Sequence, residues 1–171
     1  QGKLQMVLSK LAGHPVEVIG SGRTDAGVHA NGQVANFHIE EHFSKEQLME
    51  TFWNFLPEDI AVIQIEEVDE RFHSRFHAVS KTYSYRIRTS PVPNVFERKF
   101  LYQYGQTLDV DKMKKAAQAL VGTHDFASFC GAKAQVKTTI RTVTGIDVWR
   151  DGDIVTIRVT GTGFLYNMVR I

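Results

Sequence analysis

The chain has 171 residues, of which 43% are hydrophobic and 23% charged, with 13 Gly, 4 Pro and a single Cys. That balance excludes collagen-like, Pro/Gly-rich disordered and disulfide-stapled chains, because one Cys forms no internal bridge and the apolar content suffices for a core. The formal charge of +1 is a near-cancellation: residues 1–70 hold four Lys/Arg against twelve Asp/Glu, net −8, and residues 71–171 hold sixteen against seven, net +9.

An asymmetry of that size points to a polyanionic partner for the second half, nucleic acid ahead of a membrane. No run approaches the ~20 consecutive apolar residues of a membrane helix. No basic segment precedes an apolar run as in a secretory signal, so the expected location is the cytoplasm. The chain opens inside a helical pattern and stops on Met168-Val169-Arg170-Ile171 without a turn, which reads as an internal piece of a longer protein.

Leu4, Val7, Leu8 and Leu11 recur at helical spacing over residues 3–12, and Gly13 stands where a helix-ending glycine belongs. A short strand from Val16 to Ile19 is then broken by Gly20-Ser21-Gly22, and the segment through Ala30 reads as loop. A second strand is expected around Val34–Ile39. Ser44-Lys45-Glu46-Gln47 has the form of a capping box, and Leu48, Met49, Phe52, Phe55 and Leu56 line one helical face until Pro57. Ala61, Ile63 and Ile65 alternate as a further strand. In the second half, Tyr83, Tyr85 and Ile87 share one face of a strand whose other face carries Thr82, Ser84, Arg86 and Arg88. Met113, Ala116, Ala117, Leu120 and Val121 predict an amphipathic helix with Asp109 or Asp111 as cap and Gly122 as stop. Alternation on either side of Asp151-Gly152 predicts a hairpin.

Between residues 71 and 99, Arg71, Arg75, Lys81, Arg86, Arg88, Arg98 and Lys99 stand against Glu97 alone, with Phe72, Phe76, Tyr83, Tyr85, Phe96 and Phe100 among them. Cations that track phosphates beside rings that stack on bases compose an RNA groove. A solvated strand face with ordinary core aromatics has the same composition, and the residues leave both readings open.

The densest polar cluster is the loop Gly20–Ala30. Its glycines admit a close backbone approach, and Arg23, Asp25 and His29 supply a cation, a carboxylate and a titratable ring. It is no phosphate-cradling P-loop, since no Lys-Ser/Thr follows the second glycine. Asp25 reads either as a reactive carboxylate or as the cap of a turn made by Gly27. His73 and His77 have zinc-ligand spacing but no Glu after His73, and they sit among cations, so surface histidines fit better. Ser21 and Ser128 lack a nucleophile elbow. Cys130 reads as a small buried residue.

Gly22-Arg23-Thr24-Asp25-Ala26-Gly27-Val28-His29-Ala30 resembles the nucleophile motif of the TruA-type tRNA pseudouridine synthases over nine consecutive positions. Lys81-Thr82-Tyr83-Ser84-Tyr85, His124-Asp125-Phe126-Ala127-Ser128-Phe129 and Gly163-Phe164-Leu165-Tyr166-Asn167-Met168-Val169-Arg170 resemble that family's next three blocks, in its order. The opening strand of the family would precede Gln1, and its last segment would follow Ile171.

The resemblance implies isomerisation of uridine to pseudouridine in tRNA, in the family's usual target, the anticodon stem-loop, with no cofactor and no metal. It implies Asp25 as catalytic nucleophile, Arg170 as its pairing cation, Tyr83 as the ring stacking on the target uracil and Arg23 as the residue holding the flipped nucleotide or filling its space. His29 is expected to fix the loop or contact RNA, and Arg86 and Arg88 to bind the RNA backbone. The bacterial members are homodimers.

The expected fold is α+β, with two similar ferredoxin/RRM-like halves, 1–79 carrying the nucleophile loop and 80–171 carrying Tyr83 and Arg170. Their antiparallel sheets would join into one continuous sheet, with helices on one face and the RNA-binding cleft on the other and the site at the junction. The rival from another class is a non-catalytic RRM-like RNA-binding protein, in which Asp25 is a turn residue.

Overall fold

The structure is a computed structural model that describes residues 1–40, 42–131 and 136–171. The chain divides into two compact units, residues 1–24 with 30–78, and residues 25–29 with 79–171. Both mix helix and strand, as an α+β class requires.

The first unit holds α1 (Gly2–Ala12), β1 (Val18–Gly20), β2 (Ala35–Phe37) and α2 (Lys45–Phe55). Gly13 closes α1 in the left-handed conformation, donating its N–H to the Ser9 carbonyl. Helix α2 starts as its sequence dictates. The Ser44 hydroxyl accepts the Gln47 N–H at 3.1 Å, and the Gln47 side chain accepts the Ser44 N–H at 2.9 Å. It ends at Phe55, since the residue before Pro57 is driven out of the helical region. Val7 and Leu8 of α1 and Leu48 and Phe52 of α2 are buried with Val16 and Val18. Phe55, expected on that buried face, is 60% exposed and lies under the Lys10 ammonium; residues 48, 52 and 56 hold the inward row and leave 55 on the flank.

The strand expected at Ala61, Ile63 and Ile65 does not form. Val62 and Ile65 pack on the core while Ile63 is 78% exposed, so the apolar contacts follow a spacing of three, and the Trp53 indole N–H donates to the Val62 carbonyl. The segment is held by side chains in place of a ladder.

The second unit is a five-stranded sheet in the order β4-β3-β7-β6-β5, built from β3 (Lys81–Arg88), β4 (Tyr102–Gln103), β5 (Gly122–Asp125), β6 (Ile140–Asp151) and β7 (Ile154–Gly161), with α3 (Val110–Gln118) packed on it. Asp109 caps α3 by accepting the Lys112 N–H at 3.0 Å, which holds its carboxyl below the usual carboxylate range. The β6–β7 hairpin turns through Gly152, whose φ of 56° suits the first position of a two-residue loop.

The described strands form two sheets in place of the one continuous antiparallel sheet expected, and one pairing is parallel: Ile87 and Arg88 of β3 face Tyr102 and Gln103 of β4. The physical reasons are local. Gly20-Ser21-Gly22 limits β1 to a three-residue ladder with β2. The connection 89–101 is long enough to double back and turn again, through a last turn closed by Phe100 N–H to Glu97 C=O, so β4 lies beside β3 running in the same direction.

Ala117 of α3 is buried against Val148 of β6 and Val155 of β7. Phe126, Val143, Leu165 and Met168 form a second buried cluster, with Cys130 half-buried at its margin. Beside it β6 and β7 approach so closely that a Cβ on Gly161 would lie 2.7 Å from the Thr142 carbonyl oxygen, inside van der Waals contact.

Two stability measurements check this account. Ser44→Ala removes half of the capping box, and urea unfolding should show a loss of about 1 kcal/mol, with Ser44→Asp within a few tenths of wild type. Gly161→Ala forces a strand apart and should cost about 1–3 kcal/mol. Gly145→Ala, whose Cβ meets nothing within 4 Å, should be neutral or stabilising by up to about 1 kcal/mol; equal effects at both glycines would refute the close approach.

Candidate active site and RNA face

The loop that carries Asp25 is pinned at its start by Gln33. Ser21 N–H donates to the Val34 carbonyl at 2.8 Å, the Ser21 hydroxyl donates to the Gln33 amide oxygen at 2.5 Å, and the Gln33 amide nitrogen donates to the Gly22 carbonyl at 2.7 Å. Arg23 and Thr24, which follow, are exposed. The chain then turns over Asp25-Ala26-Gly27-Val28, closed by Val28 N–H to Asp25 C=O at 3.0 Å, with Gly27 at φ 79°. A positive φ at the third turn position is the reason for that glycine.

The turn uses the main-chain carbonyl of Asp25. Among the described residues its half-buried carboxylate accepts no hydrogen bond and joins no ion pair. Asp125 shows what a structural carboxylate looks like in the same molecule: it accepts the Thr139 hydroxyl at 2.5 Å and the Ala127 N–H at 3.0 Å, and the two donors, the hydroxyl first, hold its pKa low. The turn-cap reading of Asp25 therefore has no hydrogen bond behind it.

The segment 25–29 groups with the second unit, and so do the other three blocks that resemble the family's motifs. The Tyr83 ring meets Phe164 edge-on at 5.1 Å, joining the second block to the fourth. Phe126 is buried with Leu165 and Met168, joining the third block to the fourth, and just beyond it Gly131 N–H donates to the Tyr166 carbonyl at 2.9 Å. Asn167 takes a left-handed φ of 61°, and its carbonyl accepts the N–H groups of Arg170 and Ile171. The first block reaches its unit through His29, whose ring lies 4.4 Å from that of Phe100. Asp25 and Arg170 thus belong to one unit, but among the described residues no ion pair joins them.

The β3 cations are engaged unequally. Arg88 bonds the Asp153 carboxylate at 2.7 Å and the Val92 carbonyl at 3.1 Å, with its side chain 17% exposed. Arg86 reaches Glu97 at 3.5 Å and is 38% exposed. The register Tyr83↔Val159 and Tyr85↔Ile157 sets the two tyrosines on the face that α3 covers, and Arg86 and Arg88 on the opposite face. The aromatic and basic residues that interleave in sequence are therefore divided between two faces. The contacts of Glu97, Asp153 and Phe100 were not foreseeable: Phe100 reads in sequence only as one aromatic among six.

His73 and His77 bond within their own turn. The His77 N–H donates to the His73 carbonyl at 2.9 Å, and the His73 ring nitrogen accepts the Arg75 and Phe76 N–H groups. Among the described residues no group of three or more His, Cys, Asp or Glu side chains is arranged to hold a metal, and no helix is long and apolar enough to cross a membrane.

The family model for tRNA pseudouridine synthase matches residues 1–77 and 116–171. Similar curated proteins include tRNA pseudouridine synthase A of Bacillus sp. (strain KSM-64), 46% identical over 170 residues, or 99% of this chain and 70% of that protein. Another is tRNA pseudouridine synthase A of Brevibacillus brevis, 45% identical over 171 residues, or 100% of this chain and 70% of that protein. A third, tRNA pseudouridine synthase A 1 of Clostridium tetani, is 46% identical with the same coverage. With a family model matching most of its residues and relatives this close along its whole length, the chain belongs to the tRNA pseudouridine synthase family.

Proposed function

We propose that this chain isomerises uridine to pseudouridine in tRNA, in the anticodon stem-loop, with Asp25 as the nucleophile. The observation that carries the reading is the Asp25 turn, in which the backbone makes the turn and the carboxylate is left for chemistry. The rival, an RNA-binding protein without catalysis, needs the Asp25 side chain as the cap of the turn, and among the described residues that side chain makes no hydrogen bond.

The reaction breaks the N1–C1′ bond of uridine, turns the uracil while it stays bound, and rejoins it through C5, whose proton is released. It is an isomerisation, so the atoms balance without a second substrate. A stacked base hides C1′ and C5, so the nucleotide leaves the stack first. Arg23, exposed at the entry to the turn, suits holding the extruded nucleotide or filling its place. The Asp25 carboxylate attacks sugar or base, or takes a proton at C2′. In each route a negative charge beside an electron-poor centre lowers the barrier.

Arg170 pairs with Asp25 in the occupied site, keeping the carboxylate ionised and aimed when water is excluded. Tyr83 stacks on the uracil and relays the C5 proton; its edge contact with Phe164 leaves a ring face for a base. His29 fixes the loop. On the sheet face opposite Tyr83, Arg86 and Arg88 take a flanking stretch of the RNA backbone, Arg86 with the freer guanidinium. The reading carries with it two similar RRM-like halves flanking an RNA cleft, a homodimeric assembly and a cytoplasmic site of action.

Asp25→Asn should lower single-turnover release of tritium from C5-labelled uridine in tRNA by about a thousand-fold or more, with tRNA affinity within two-fold of wild type. Release at the wild-type rate would remove Asp25 from the chemistry. Arg86→Ala should reduce the slope of log K against log salt by about one phosphate contact. Arg88→Ala should in addition lower the melting temperature, because it leaves Asp153 without its partner, and an unchanged slope in both variants would take the β3 cations off the RNA.

A further inference from the structure

We infer that Phe100 is a positioning residue for the catalytic turn: its ring braces His29 and so fixes the Asp25–Val28 turn to strand β3. The inference rests on the reading of Asp25 as nucleophile and adds the means by which that carboxylate is held.

The geometry runs through one chain of contacts inside the second unit. Glu97 is tied to β3 by Arg86 at 3.5 Å. Asn94 holds the same carboxylate with its side-chain N–H at 2.7 Å, while its amide oxygen accepts the Phe96 and Glu97 N–H groups at 3.0 and 3.3 Å. The turn Glu97–Phe100 is closed by Phe100 N–H to Glu97 C=O at 2.8 Å. Two residues on, Tyr102 pairs with Ile87 of β3. Phe100 therefore lies between two attachments to the strand that carries Tyr83, one on each side of it in sequence.

Its ring centroid is 4.4 Å from that of His29, with the planes tilted by 46°. His29 directly follows Val28, whose N–H closes the turn onto Asp25. Fixing the His29 ring restrains that hydrogen bond and the direction in which the Asp25 side chain leaves the backbone. A displacement of about 1 Å in a reacting group can cost on the order of a hundred-fold in rate, so a brace of this kind acts on kcat. Phe100 keeps 52% of its surface, which is affordable for a residue whose work is contact with one ring.

The test uses Phe100→Ala and Phe100→Tyr in the enzyme, with tRNA as substrate. Phe100→Ala should lower kcat by about ten- to a hundred-fold, leave KM and tRNA affinity within two-fold, and speed hydrogen exchange at the Val28 amide at least ten-fold. Phe100→Tyr keeps the ring and should restore all three. If Phe100→Ala fails to fold, Glu97→Gln, which weakens the Arg86 tie and keeps the Asn94 contact, should move Val28 exchange and kcat in the same directions by a smaller factor. Wild-type exchange at Val28, or a fall in tRNA affinity that matches the fall in kcat, overturns the inference, the latter by making Phe100 an RNA contact. Failure of the Asp25 reading is separately visible: Asp25→Asn would then stay active while the exchange response to Phe100→Ala remained.

Discussion

Strand β7 is hydrogen-bonded along its length on both sides, to β3 from Lys81↔Gly161 to Arg88↔Ile154 and to β6 from Val143↔Gly161 to Asp151↔Ile154. Its Val155 has no exposed surface. Because side chains alternate across a strand, that double ladder decides which face every residue of β3 and β6 occupies, and a slip of one position would exchange them all. The buried run of Val155 with half-buried Ile157 and Val159 against α3 and the 163–171 segment makes a slip expensive. The positions of Tyr83, Arg86 and Arg88 are thus consequences of hydrophobic burial elsewhere in the sheet.

The second half of the chain carries a net +9, and many of its arginines have internal partners. Arg141 donates to the Thr138 and Ile140 carbonyls, Arg98 to the Val95 carbonyl, and Arg150 to the Leu108 carbonyl and Thr89 hydroxyl, while Arg158 lies 4.8 Å over the Trp149 ring. These partners are neutral. They hold the guanidinium in place without cancelling its charge, so the positive field that attracts a polyanion survives the structural use of the residues that make it. Among the described residues the arginines with carboxylate partners are Arg86 and Arg88, two of the seven cations between residues 71 and 99.

Local chemistry was readable from the sequence and non-local chemistry was not. Ser44-Lys45-Glu46-Gln47 predicted a capping box whose two hydrogen bonds are both present, and Asp151-Gly152 predicted the hairpin turn, because each signal lies within a few residues of its effect. The strand expected at 61–65 failed because alternation describes a pattern and not a partner: Val62 and Ile65 pack on the α1/α2 core, and the segment joins no ladder. Strand β5, Gly-Thr-His-Asp, has no apolar alternation at all; it is held by its ladder to β6 and by the Asp125–Thr139 bond. Likewise nothing in residues 22–30 tells that 25–29 pack with the second unit, since the partner ring of His29 is that of Phe100, far along the chain.

Three aspartates in this molecule divide into two whose carboxylates are bonded to nearby donors and one, Asp25, whose carboxylate takes no hydrogen bond among the described residues. Asp109 and Asp125 each surrender side-chain oxygens to nearby donors, the Lys112 N–H in one case and the Thr139 hydroxyl and Ala127 N–H in the other, and each is held below the usual carboxylate range as a result. Those bonds favour the anion and also occupy its lone pairs, so a carboxylate stabilised in this way is a poor nucleophile and a poor base. The Asp25 turn avoids that by drawing its closing bond from the backbone and its positive φ from Gly27. A loop flanked by glycines is costly to hold still, because glycine loses more backbone freedom on ordering than any other residue. The two ends meet that cost in different ways, the Gln33 side chain at Ser21 and Gly22, an aromatic ring at His29. Both ends are thus held by groups that make no hydrogen bond to the Asp25 carboxylate.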